Sequence, residues 1–131
     1  MELNRILCVE DEADIREILT LALESIGGFT VESCASGQEA LDRVVATDPD
    51  LILLDVMMPE MSGPSTLEAL QRIPEAATKP VIFLTAKTQA SEIEQFKALG
   101  AIDVLTKPFS PMTLAEEIKE AWQRHHLAEV G

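Results

Sequence analysis

The chain contains no tyrosine, and aromatic residues fill only 4% of its 131 positions. It has two cysteines, Cys8 and Cys34, and both fall inside apolar, strand-like runs. That placement suits buried thiols in a reducing compartment and argues against a disulfide framework or a cysteine metal site. Basic residues are scarce: 10 Lys+Arg stand against 23 Asp+Glu, for a formal net charge of −13. Such a surface repels phosphate backbones and anionic lipid, which excludes direct nucleic-acid and membrane binding as first expectations. Long apolar runs are missing as well. The longest nearly uncharged stretch, Leu51 to Pro59, is interrupted by Asp55 and falls far short of a membrane span. The N-terminus runs through Met-Glu-Leu-Asn-Arg and a short apolar stretch into an acidic cluster, which is not the pattern of a signal peptide. A cytoplasmic location is the expectation.

Hydrophobic residues make up 47% of the chain, which excludes disorder despite the charge. A chain of this mass buries about two-thirds of its unfolded surface, enough for one sizeable core. Five short apolar runs recur: Ile6 to Val9, Thr30 to Cys34, Leu51 to Leu54, Val81 to Leu84, and Val104 to Leu105. Most lack alternation, as strands covered on both faces do. Helical periodicity separates them. Ile15, Ile18, Leu19, Ala22, Leu23 and Ile26 share one face, and Gly27-Gly28 supplies the stop. Ser36 with Glu39 suits a capping box for a second helix through Val45, and Ser65 with Glu68 suits another for a third, ending around Ile73-Pro74. Ile93, Phe96 and Leu99 before Gly100 mark a fourth. Ser110-Pro111 predicts the N-cap and first turn of a fifth, which carries Leu114, Ile118, Ala121 and Trp122 and ends at His125-His126. Strand and helix alternating five times predicts one α/β domain with a parallel sheet.

The residues at the end of each apolar run are more telling. Glu10, Asp11 and Glu12 come after the first, Asp55 after the third, Thr85 after the fourth, and Thr106-Lys107-Pro108 after the fifth. Open parallel sheets bind ligands outside the carboxyl ends of their strands. A lone Asp there is most often a solvated loop group, but four runs of five deliver a polar group to this edge. Asp55 also sits between two apolar stretches, where burying a carboxylate without a partner is costly. Glu10, Asp11 and Asp55 together would crowd negative charge in one place, which raises a pKa or requires a cation. Their hard oxygens suit Mg²⁺ (or Mn²⁺) better than zinc. With the Lys107 charge and the Thr85 hydroxyl they form a site for a phosphoryl group, and an Asp in such a site can itself be the nucleophile.

The segments Val9-Glu10-Asp11-Glu12, Leu54-Asp55-Val56-Met57-Met58-Pro59, Leu84-Thr85-Ala86 and Leu105-Thr106-Lys107-Pro108-Phe109 resemble the receiver domain of two-component response regulators in order and spacing, over about Arg5 to Gln123. The resemblance implies a flavodoxin-like (βα)5 three-layer sandwich with strand order 2-1-3-4-5. It implies that Asp55 accepts a phosphoryl group from the phosphohistidine of a histidine kinase or histidine phosphotransfer protein. Glu10 and Asp11 would hold Mg²⁺ with Asp55 and the backbone carbonyl of Met57. Thr85 would bond a phosphoryl oxygen and Lys107 would pair with it, the peptide before Pro108 being cis. Met57 and Lys87 resemble positions that flank the phosphoryl group and tune its hydrolysis. A downstream effector protein or a phosphorelay would read a two-state equilibrium on the face of the fourth helix, fifth strand and fifth helix. Such a chain is a signalling module with self-phosphotransfer and slow autodephosphorylation, not an enzyme of many turnovers.

Two departures stand out. The acidic pair is Glu10-Asp11 where Asp-Asp is commoner, and Val104 occupies a position that usually carries Tyr or Phe. The second leaves the phosphorylation chemistry intact and removes the usual aromatic readout. Aspartate-nucleophile phosphatases of the haloacid dehalogenase type need a second Asp two residues after the first, and Met57 stands there. A flavin site would want a glycine- or hydroxyl-rich loop after the first strand, where three carboxylates would instead repel the flavin phosphate. A phosphorylation-independent scaffold would not need the full acceptor set. The expected organisation is a receiver over residues 1–126 with a short C-terminal tail over 127–131, either stand-alone or cut from a larger regulator.

Overall fold

The computed structural model describes residues 2–86 and 89–130. Five strands, β1 (Arg5–Val9), β2 (Thr30–Cys34), β3 (Leu51–Asp55), β4 (Val81–Thr85) and β5 (Asp103–Thr106), form one sheet in the order β2-β1-β3-β4-β5. Every pairing is parallel. The helices are α1 (Ala13–Leu21), α2 (Gly37–Thr47), α3 (Gly63–Gln71), α4 (Ala90–Leu99) and α5 (Leu114–Val130). A π-helical segment, Ala22–Ile26, prolongs α1 before Gly27. This is the doubly wound, flavodoxin-like sandwich and strand order that the sequence resemblance implies.

The central strands β3 and β4 are buried along their whole length, which explains their unbroken apolar runs. The pleat sends alternate residues to opposite faces. Ile6, Cys8, Leu51, Leu53, Ile82 and Leu84 pack on one face with α1 and α5. Leu7, Val9, Ile52, Leu54, Val81 and Phe83 pack on the other, under α2, α3 and Phe96 of α4. Cys8 and Cys34 therefore lie on neighbouring strands but in different layers, both as free, buried thiols. Burial pushes Cys8 up to about 12 and Cys34 up to about 11.

Helix starts follow local chemistry, with two corrections. Ser36 accepts from the Glu39 amide, and Glu39 accepts in turn from the Ala35 amide. The third helix begins a turn before the expected Ser65: Ser62 is its N-cap and accepts from the Ser65 amide. Pro64 decides this, because a residue without an N–H and with a fixed φ suits the first turn. Glu68 then pairs with Arg72 at 2.6 Å instead of closing a capping box. Before α5, the backbone carbonyl of Ser110 accepts from the amides of Thr113 and Leu114, and the helix proper starts at Leu114. It also continues past His126, whose ring lies against Trp122 with centroids 3.8 Å apart.

Candidate functional site

Pleat parity selects which polar side chains can meet at the carboxyl edge. Glu10 continues the β1 row of Ile6 and Cys8, and Asp55 ends the β3 row of Leu51 and Leu53, so both lean toward the α1 and α5 layer. Glu10 is still tied to the sheet, since its amide donates to the Cys34 carbonyl at 3.0 Å. Lys107 follows β5 at the opposite side of Asp55, and its amide donates to the Thr85 carbonyl at 2.9 Å. The Lys107–Pro108 peptide is cis.

These elements bring four of the candidate side chains together. Ligand oxygens of Glu10, Asp11 and Asp55 all lie within 4.8 Å of one another. Lys107 Nζ lies 2.7 Å from Glu10 Oε1 and 3.1 Å from Asp55 Oδ1. The other Glu10 oxygen, Oε2, accepts from the Glu12 amide at 3.1 Å. Glu10 and Asp55 are almost wholly buried, at 0% and 2% exposure, while Asp11 is half-buried at the mouth. Thr85 is buried at the end of β4, in the strand next to Asp55. Met57, two residues beyond Asp55, has an exposed side chain. Lys87 lies outside the described residues.

The electrostatics follow from burial and crowding. Burial, joined by the charge of Glu10, pushes Asp55 up to about 7, and the Lys107 ammonium only partly opposes this. Burial pulls Lys107 down, but its two carboxylate partners outweigh it and leave the ammonium raised. Asp55 Oδ2 is buried and has no hydrogen-bond partner among the described residues. A buried carboxylate oxygen left so is a strong acceptor waiting for a cation or a donor. Among the described residues, the donor set beside it is all oxygen apart from one lysine. That chemistry fits a hard dication such as Mg²⁺.

Two neighbours of the site carry little signal in the sequence. Arg16 of α1 reaches back, and its Nη1 donates to the backbone carbonyls of Glu10 at 2.8 Å and Asp11 at 3.3 Å. Its only sequence mark is an arginine in the first turns after an acidic cluster, which is common on helix surfaces. The second is an apolar cleft of about 380 Å³ beside Lys107, walled by Ile15, Ile18, Pro108, Phe109 and Pro111. No helix among the described residues is long and apolar enough to cross a membrane.

Residues 6–119 match the family model described as the response regulator receiver domain. The phosphate regulon transcriptional regulatory protein PhoB of Pseudomonas aeruginosa is 40% identical over 119 residues, covering 91% of this chain and 52% of the relative. A probable transcriptional regulator, ycf27, of Porphyridium aerugineum is 39% identical over 95% of this chain and 50% of its own. The chain thus spans about half the length of the curated relatives it matches. Among solved structures, the chemotaxis protein CheY4 of Vibrio cholerae superposes with a TM-score of 0.84 at 32% identity, covering 92% of this chain and 99% of that one.

Proposed function

The chain belongs to the response regulator receiver domain family, and we propose that its Asp55 accepts a phosphoryl group from the phosphohistidine of a histidine kinase or histidine phosphotransfer protein. The observation that carries this reading is the Asp55 carboxylate itself. It is buried at a sheet edge, one oxygen is held by Lys107, and the other has no hydrogen-bond partner among the described residues. An Asp55 oxygen attacks phosphorus in line, the P–N bond to the donor imidazole breaks, and its electron pair returns to the ring nitrogen. The product is an acyl phosphate on Asp55.

Glu10, Asp11 and Asp55, with the Met57 carbonyl, are the groups that would hold Mg²⁺. When bound, the ion supplies charge neutralisation for the incoming phosphoryl oxygens. Lys107 supplies a fixed positive charge on the same oxygens, and Thr85 a hydroxyl placed one strand away. Turnover beyond slow hydrolysis of the Asp55 adduct is not part of this reading, because Met57 offers no acid-base group two residues after the nucleophile. Phosphorylation biases a two-state equilibrium that an effector protein or the next member of a relay reads.

Incubation with Mg²⁺ and acetyl phosphate tests the reading directly. Mass spectrometry should show one acid-labile phosphate on the wild type and none on Asp55→Asn or in EDTA. An unmodified wild type, or an equal adduct on Asp55→Asn, overturns it.

A further inference from the structure

The acidic loop between β1 and α1 faces a physical difficulty. Glu10, Asp11 and Asp55 bring three carboxylates within 4.8 Å, and mutual repulsion favours loop conformations that spread them. Lys107 answers this for Glu10 and Asp55, its two ion-pair partners among the described residues, and Asp11 is not one of them. What holds Asp11 inward is main-chain geometry. The half-buried Arg16 guanidinium donates from one nitrogen to the carbonyls of both Glu10 and Asp11. These carbonyls belong to the two peptide planes that flank the Asp11 Cα, so holding both fixes the direction of its Cα–Cβ bond, and the bond from the Glu10 amide to the Cys34 carbonyl fixes the plane on the far side of Glu10. Bonds from a charged donor are about twice as strong as neutral ones. Arg16 is itself anchored, because its amide donates to the Glu12 carbonyl at 2.9 Å and its carbonyl accepts from Thr20.

We propose that Arg16 is a positioning residue for the divalent-cation site: it clamps the Glu10 and Asp11 carbonyls so that their carboxylates converge on Asp55. It touches neither the ion nor the phosphoryl group. The inference rests on the reading of Glu10, Asp11 and Asp55 as the Mg²⁺ ligands. Charge and positioning make opposite forecasts here. A guanidinium acting through its charge alone repels a dication, so its removal would tighten Mg²⁺ binding. A clamp predicts weaker binding.

The experiment is a calorimetric titration of unphosphorylated protein with MgCl₂, without a phosphodonor. Wild type should bind, and Arg16→Gln should bind about tenfold more weakly, in the range for residues that orient metal ligands. Its melting temperature in EDTA should stay close to that of the wild type. Arg16→Lys, which keeps the charge but carries it on a shorter side chain without the planar guanidinium, should fall between the two. If Arg16→Gln does not fold, the lysine variant carries the test by the same criterion of weakened binding. Unchanged or tighter Mg²⁺ binding in a folded Arg16 variant overturns the clamp and leaves the site reading standing. A wild type that binds no Mg²⁺ overturns both.

Discussion

Lys107 lies closer to Glu10 than to Asp55, with Nζ 2.7 Å from Glu10 Oε1 and 3.1 Å from Asp55 Oδ1. One ammonium thus serves two buried carboxylates. Removing the cation leaves buried charge without compensation, which typically costs about 3–5 kcal/mol. Lys107→Met should lower the chemical-denaturation stability by about that amount in EDTA. Added Mg²⁺ should restore part of the loss, because a second cation enters the same cluster. A variant as stable as wild type in EDTA would show that the pair carries little.

The raised Asp55 predicts a pH dependence with a definite sign. Its ordinary value is 3.8 and its folded value about 7, so between these the native state holds a proton that the unfolded chain has released. Stability from this group is present at low pH and lost as pH rises through about 7. Denaturation in EDTA from about pH 5.5 to about pH 8.5 should cost the wild type more than Asp55→Asn, which has no such proton. Mg²⁺ competes with that proton and should stabilise the wild type more at the higher pH. Parallel curves for the two proteins would contradict the assignment.

Gly63 opens α3 directly beneath the end of β3. A Cβ there would meet the Asp55 carbonyl oxygen at 2.5 Å and Val56 Cα at 2.8 Å, both backbone atoms with little freedom to give way. Gly63→Ala should therefore push α3 away from the acceptor strand. The expected cost is about 1–3 kcal/mol by thermal or chemical melting, as for other overpacked sites. Phosphorylation by acetyl phosphate should slow as well, since the loop bearing Met57 shifts with the helix.

Helix α4 has no buried side chain, and its inner contact is Phe96 against Phe83, with ring centroids 5.1 Å apart at 60°. Val104 packs into the same cluster beside Phe83, where the family commonly has an aromatic side chain. Phe96→Ala should speed amide hydrogen exchange in α4 more than elsewhere, because the ring is its apolar anchor on the sheet and its remaining ties, such as Gln71 to the Leu99 carbonyl, are exposed. Adding beryllium fluoride to the Mg²⁺-loaded wild type should alter exchange in α4 and β5, by backbone shifts or by side chains other than an aromatic on β5. An unchanged α4 and β5 would rule out an output on that face.

Much of this architecture was legible because its signals are local. Unbroken apolar runs mark β3 and β4, and the Gly27-Gly28 stop and the Ser36 cap act within a few residues of where they stand. Where reading by local pattern failed, two local rules competed. Ser65 with Glu68 has the spacing of a capping box, yet Ser62 with Pro64 satisfied the same orphan amides one turn earlier. The fifth helix outran its expected end at His126, since Leu127, Ala128, Glu129 and Val130 include no glycine or proline to stop it.

By itself the sequence determined which chemical groups arrive at the carboxyl edge: three carboxylates, a hydroxyl and a lysine, each at or just past the end of an apolar run. Tertiary structure alone decided how they divide among themselves. Cys8 and Cys34 went to separate layers, Lys107 took Glu10 as its nearer partner, and Arg16 turned back onto the Glu10 and Asp11 carbonyls. The reason is range. Pleat and helical period act over two to four residues, whereas the meeting of positions 10, 55 and 107 is set by strand order and register across the whole sheet.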